Sequence, residues 1–290
     1  MTSIRIGVVG DLHTHWDDVD VAQFARTDYD LLFFVGDLGG GTPESSLRVA
    51  RSISRLEKDV LVMPGNNDTG DIAELSAELS HRMGLSRIAA MRTGADHRTS
   101  IRLCGYSKHR LTRDSVDVTL ITARPHSLGG PALSFPDHMS MNYGIDSIDA
   151  SFERLRVLID ESETERLLFF SHNGPTGLGD APDDMWGCDF KPGGGDWGDP
   201  DLELAIDHAL AIGKRVLAVV AGHMHLVTKG GQERTWITER NGIVYVNSAR
   251  VPRIFASDDD VHRHHVSLVV TANEVEVSEI LVPEHGQNGG

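Results

Sequence analysis

The chain has 290 residues, 40% hydrophobic and 24% charged, a balance that suits a globular protein with a sizeable core and excludes a fibrous or low-complexity one. Its formal net charge of −16, from 43 acidic against 27 basic residues, repels a nucleic-acid backbone and argues against a nuclease. No run reaches the roughly 18 apolar residues of a membrane helix, and two isolated cysteines make no disulfide framework. Met1-Thr2-Ser3-Ile4-Arg5 leads directly into an apolar run without the pattern of a secretory leader, so a cytoplasmic location is the default expectation. No Pro/Ser-rich linker or repeat divides the sequence, and residues 1–290 read as a single domain.

One arrangement recurs along the chain. Ile4 to Val9 is apolar and gives Gly10-Asp11-Leu12-His13, and Leu31 to Val35 gives Gly36-Asp37-Leu38-Gly39. A helical pattern follows over Glu44 to Lys58; its Arg48, Arg51 and Arg55, flanked by Glu44, Glu57 and Asp59, read as a solvated face. Val60 to Met63 leads through Pro64 to Gly65-Asn66-Asn67-Asp68, and Asp71 to Met83 is a second helical pattern. Ser151 to Glu161 is a third; Leu167 to Phe170 then gives Ser171-His172-Asn173-Gly174-Pro175. After a fourth, Asp201 to Ile212, the run Val216 to Ala221 gives Gly222-His223-Met224-His225. Short runs of Val, Leu and Phe closed by Gly or Pro predict buried strands. Strand–helix alternation predicts an α/β fold with its site at the carboxyl ends of the strands, where these polar clusters can converge.

The last third changes character. Trp236 to Glu239, Ile243 to Asn247, His265 to Thr271 and Val275 to Leu281 predict short strands, with a hairpin turn at Asn241-Gly242 and another at Ala272-Asn273. A second, largely antiparallel sheet is the simplest expectation. Asp11, His13, Asp37, Asn66, His172, His223 and His225 are metal-capable groups. Carboxylates, imidazoles and an amide oxygen without thiolate suit Mn, Fe, Co or Zn rather than a structural zinc site. Seven groups exceed one ion's needs and match two ions sharing a carboxylate.

This ordered set, Asp-x-His, Gly-Asp, Gly-Asn-x-Asp, a lone His and Gly-His-x-His, resembles the calcineurin-like metallophosphoesterase superfamily from Asp11 to His225. The resemblance implies a four-layer α/β/β/α sandwich of two mixed β-sheets flanked by helices. It implies that Asp11, His13 and His225 hold one divalent ion, that Asn66, His172 and His223 hold the other, and that Asp37 bridges them. Manganese stands foremost, with iron, zinc, cobalt or nickel as alternatives. The implied reaction is hydrolysis of a phosphate ester by a metal-bridging hydroxide, on a small anionic substrate; the net charge and the short apolar runs predict neither nucleic acid nor membrane as partner.

The sequence departs from the family pattern at Asn67, where the third motif carries a His that serves the leaving group. Asn donates a hydrogen bond but no proton at neutral pH, and general acid catalysis is worth roughly 10²–10⁴ in rate. His15 is the nearest replacement donor by sequence and His126 a weaker one, and a phosphodiester preference is expected. The alternative reading is a scaffold or binding protein on the same fold with little turnover. The protein Ser/Thr phosphatase branch is set aside, since Gly39-Gly40-Gly41 and Pro64 stand where its phosphate-gripping arginines belong.

Arg124 and Arg250 are the candidate phosphate contacts, the latter in Asn247-Ser248-Ala249-Arg250. Thr176 to Pro200, with Trp186, Trp197, Lys191 and Gly193-Gly194-Gly195, reads as a Gly/Trp-rich insertion placed to be a lid or substrate wall. These two stretches are similar to ones in a cyanobacterial and plastid branch of the superfamily. Trp186 and Trp197 are expected to pack the loop rather than stack on substrate. Asp68 is expected to cap the helix near Asp71, and His262, His264 and His265 to sit in an exposed turn after Asp258-Asp259-Asp260.

Overall fold

The computed structural model describes residues 2–70, 72–80, 100–257 and 260–284. Its central parallel strands are apolar at nearly every position because both their faces are covered. In β2 (Leu31–Phe34), Leu31 and Phe33 enter one apolar cluster while Leu32 and Phe34 enter another. In β7 (Arg166–Phe170), Leu168 and Phe170 join the cluster that holds Phe33, while Leu167 and Phe169 face the opposite way. Side chains alternate between the faces of a strand, so each such strand contributes to two layers at once.

Two mixed sheets result. In the first, β1 (Ile4–Val9), β2, β3 (Val60–Val62) and β4 (Ile101–Leu103) run parallel. Antiparallel β12 (Asp260–Val270) pairs with β1 and also with β11 (Ile254–Ser257) and β13 (Val275–Pro283). In the second, β6 (Val116–Thr122), β7, β8 (Arg215–Ala221) and β10 (Ile243–Asn247) are parallel. Antiparallel β5 (Ser107–Arg113) and β9 (Ile237–Arg240) close its edges.

The sheets face each other across Ile6, Phe33, Phe170 and Val220, with the Phe33 and Phe170 rings edge-to-face at 4.7 Å. On the outer face of the first sheet lie α1 (Asp18–Ala25) and α2 (Pro43–Ile53), together with α3 (residues 72–80). On the outer face of the second lie α4 (Pro136–Tyr143), α5 (Ile148–Asp160) and α6 (Pro200–Ala211). Helix, sheet, sheet, helix is the expected four-layer order. Each buried phenylalanine in it stabilises the fold by about 1.5–3 kcal/mol.

The helices start where local chemistry starts them. Thr42 accepts the Ser45 N–H ahead of Pro43 at the first turn of α2, Ser147 accepts the Ala150 N–H at α5, and Asp17 with Asp20 closes a capping box on α1. At Asn241-Gly242 both φ angles are positive, 55° and 75°, as the β9–β10 hairpin requires.

Several expectations are corrected. The C-terminal strands do not make a sheet of their own: β9 and β10 extend the second sheet, while β11, β12 and β13 extend the first. The hairpin β5–β6 and helices α1 and α4 are additional elements. Of the helix expected over Asp71 to Met83, residues 72–80 are helical and the rest lies outside the described residues, as do Asp258 and Asp259. The expected exposed histidine turn is instead strand β12, in which His264 and His265 are buried. His265 Nε2 bonds the Tyr29 hydroxyl at 2.9 Å and His264 Nε2 lies 3.2 Å from Glu279. No helix among the described residues is long and apolar enough to cross a membrane.

Candidate metal centre

Parallel strands deliver their following loops to one edge. Asp11 and His13 follow β1, Asp37 follows β2, Asn66 opens the 3₁₀ turn Asn66–Asp68 after β3, His172 follows β7, and His223 and His225 follow β8. The loops are tied together by backbone: His13 N–H donates to Asp37 O at 2.8 Å and Gly222 N–H to His172 O at 2.8 Å. Close approach explains two of the glycines. A Cβ on Gly65 would stand 2.2 Å from Asp37 Oδ1, and one on Gly222 would stand 2.4 Å from Asp11 Oδ1. His13, Asp37 and His223 hold φ angles of 42°, 48° and 67°, left-handed backbone that costs about 1–3 kcal/mol each and gathers at functional sites.

Two groups of ligand atoms form. Those of Asp11, His13 and His225 lie within 4.8 Å of one another, as do those of Asp37, His172 and His223. Asn66 joins the second group, its Oδ1 lying 3.0 Å from His172 Nε2. Asp37 stands between them, Oδ2 3.6 Å from His13 Nε2 and Oδ1 3.6 Å from His172 Nε2. All seven candidate residues therefore come together, in two groups with Asp37 between them.

A divalent cation fits the donor set. Asp11 is fully buried and its Oδ2 has no hydrogen-bond partner, a cost of several kcal/mol for a carboxylate unless a cation faces it. His13 Nε2 and His225 Nε2 face each other at 3.1 Å, an arrangement suited to two lone pairs on one ion. The tautomers follow from backbone acceptors. His172 Nδ1 donates to Val35 O at 2.9 Å and leaves Nε2 free; His223 Nε2 donates to Leu128 O at 3.2 Å and leaves Nδ1 free.

Charge follows the same logic. Burial pushes the Asp37 carboxyl up, but His172, the Asn67 N–H and His13 outweigh it and hold it below the usual range. Burial pulls His172 down, yet Asp37 and Asp11 raise it on balance. Burial lowers His223 to about 3, with His172 adding to the effect, so it is neutral and ready to ligate at neutral pH.

The other candidates scatter. The Asn67 side chain donates to Asp37 Oδ2 at 2.7 Å and lines the site. His15 is exposed near His13 and is lowered by burial and by the His13 charge. Asp68 is buried, accepts the Leu38 and Gly65 N–H groups and the Ser46 hydroxyl, and so braces the Asp37 loop; the cap expected near Asp71 lies outside the described residues. Burial, then the Asp37 charge, raise it to about 6.

His126 is no accessible acid. It is buried between Gly65 O at 3.0 Å and the Tyr143 hydroxyl at 3.1 Å, and burial takes it to about 3. Arg124 is not at the site but in the core, 2.8 Å from Asp199 and 3.1 Å from Asp201. Arg250 points to Glu279 at 3.3 Å and over the Phe255 ring. A larger cleft of about 750 Å³ beside Arg48, Arg51 and Arg55 holds none of the ligands, and Arg51 and Arg55 pair there with Glu78 and Asp18.

The ligands open into a cavity of about 240 Å³, also lined by Asp189, Phe190, Met224, Val227 and Lys229. Trp186 packs beneath it, Nε1 donating to Gly222 O at 3.2 Å, and Trp197 packs on Gly129 and Gly130, donating to Leu128 O at 2.8 Å. Both tryptophans pack the loop, as expected. Sequence reasoning missed Arg234. It is buried and donates to His225 O at 3.0 Å and to the carbonyls of Asp184 and Gly187 at 2.8 Å, fastening the 176–200 loop to a ligand strand end. No local pattern marks it. Lys229, four residues after the last ligand, offered a cue that went unread.

A family model described as calcineurin-like phosphoesterase matches residues 4–227. One solved structure aligns over 96% of this chain and 99% of its own at TM-score 0.53 and 11% identity. A dimetal phosphatase from Danio rerio aligns over 94% and 98%, with TM-score 0.50 and 13% identity. At these identities the two structures carry the fold alone. No protein of curated function matches the sequence.

Proposed function

We propose that this chain, which belongs to the calcineurin-like phosphoesterase family, hydrolyses a phosphate ester at a dinuclear metal site and prefers diesters. The observation that carries this reading is the pair of ligand groups sharing Asp37. Asp11, His13 and His225 would hold one ion, and Asn66, His172 and His223 the other. Oxygen and nitrogen donors without thiolate suit manganese, iron, cobalt or zinc, and manganese is the ion proposed. Bound there, the ions supply Lewis acidity that offsets phosphate charge and brings water's pKa near neutrality.

The chain's own residues do the rest. Val35 O and Leu128 O orient two imidazoles, and Arg234 steadies the strand end that carries a third. Asn67 can donate a hydrogen bond to a phosphoryl oxygen but has no proton for a leaving alkoxide. That favours esters whose alcohol departs readily, and a singly charged diester over a doubly charged monoester. His15, exposed beside His13, is the group proposed to protonate poorer leaving groups. Free, buried Cys104 and Cys188 accord with a reducing compartment, which supports a cytoplasmic location.

The test is Mn²⁺-supplemented hydrolysis of bis-(p-nitrophenyl) phosphate beside p-nitrophenyl phosphate, with a chelator control and Asp37→Asn. Diester turnover that disappears with chelator and in the variant is expected. Absence of turnover with metal bound would overturn the reading and favour the scaffold function, for which the Asn67 departure speaks.

A further inference from the structure

The cavity beside the ligands has one wall that metal binding does not use. Phe190 is 43% exposed and Val227 48% exposed, and both line it. Large apolar side chains left open beside a polar site need a reason. Phe190 is not a loose loop tip: its ring stands edge-on to Trp197 at 5.4 Å, and Trp197 is packed on Gly130.

Among the described residues Lys229 is the one lysine or arginine lining the cavity. Its Nζ lies 5.6 Å from the Phe190 ring centroid, and among the described residues no carboxylate pairs with it. The nearby Asp189 is already engaged, accepting the Lys229 backbone N–H at 2.7 Å and lying 3.2 Å from Arg234. The loop that carries Phe190 and the loop that carries Lys229 are thus pinned together, with the cation left for a ligand.

We infer that Phe190 and Lys229 form the substrate-selecting wall of this site, taking the alcohol side of an ester whose flat apolar group bears a second anion. The inference rests on the phosphoesterase reading and names its substrate class. Phe190 supplies a ring face for a flat group, and Lys229 supplies the counter-charge. The cavity of about 240 Å³ is below the roughly 300–1,000 Å³ common for ligand pockets, so the wall takes one ring beside the phosphoryl group and a second ester group extends beyond it.

Binding of non-hydrolysable phosphonates to the manganese-loaded protein tests this by calorimetry. Methyl-, phenyl- and 4-carboxyphenylphosphonate are compared in the wild type, Phe190→Ala and Lys229→Gln, alongside bis-(p-nitrophenyl) phosphate turnover in each. The wild type binds the three with rising affinity. Lys229→Gln loses roughly fivefold on the carboxylated ligand alone, and Phe190→Ala loses about tenfold on both aryl ligands with methylphosphonate unchanged. Equal affinities, or variants that bind as the wild type does, overturn the wall while turnover leaves the phosphoesterase reading standing. The ranked binding without any turnover keeps the wall and discards hydrolysis.

Discussion

Asn67 donates its side-chain N–H to Asp37 Oδ2 at 2.7 Å and its backbone N–H to Oδ1 at 2.8 Å. It therefore orients the shared carboxylate, a task that needs no titratable proton. Asn67→His would add a proton donor at that position. Turnover of an alkyl phosphate is expected to rise by about tenfold or more, with little change for bis-(p-nitrophenyl) phosphate, whose leaving group needs no acid. His15→Ala is expected to slow the alkyl ester selectively in the same assay. Equal effects on both esters would show that neither residue concerns the leaving group. That the seven candidate ligands would cluster was legible because each closely follows an apolar run. The anion contacts were not, because an arginine's reach hides which carboxylate it will find.

Arg124 shows this at the scale of elements. It follows β6, where a phosphate contact was expected, yet the start of α6 brings Asp199 and Asp201 against it, and all three are buried. Arg124→Ala leaves two buried carboxylates unpaired, and a loss of about 3–5 kcal/mol is expected in urea unfolding. An unaltered stability with a raised KM would return Arg124 to the site. The five ligand-bearing strands were readable from two-sided apolar runs. The hairpin β5–β6 was not, since Ser107–Arg113 is mostly polar and half exposed. Nor did any local signal say that the C-terminal strands would divide between two sheets, because pairing partners are chosen over long sequence separations.

For the whole molecule, acid sensitivity follows from histidines buried neutral. Burial, aided by the Arg253 charge, lowers His265 to about 3 from its ordinary 6.5. On acidification the unfolded chain takes up this proton first, so the stabilisation present above pH 6.5 is lost as pH falls toward 3. The dependence approaches about 1.4 kcal/mol per pH unit for one such group. His265→Gln, which keeps an acceptor for Tyr29, is expected to flatten the stability–pH curve between pH 6.5 and 4 by about that slope. Parallel curves would mean that His265 is charged in the fold. The four layers exist to bring ligand loops from both sheets to one edge, and the number of ions held there tests the account most directly. A calorimetric titration with Mn²⁺ should give two ions per chain in the wild type. Asp11→Ala and His172→Ala should each retain one, at different affinities. A single ion in the wild type, or both variants losing the same one, would contradict the dinuclear site.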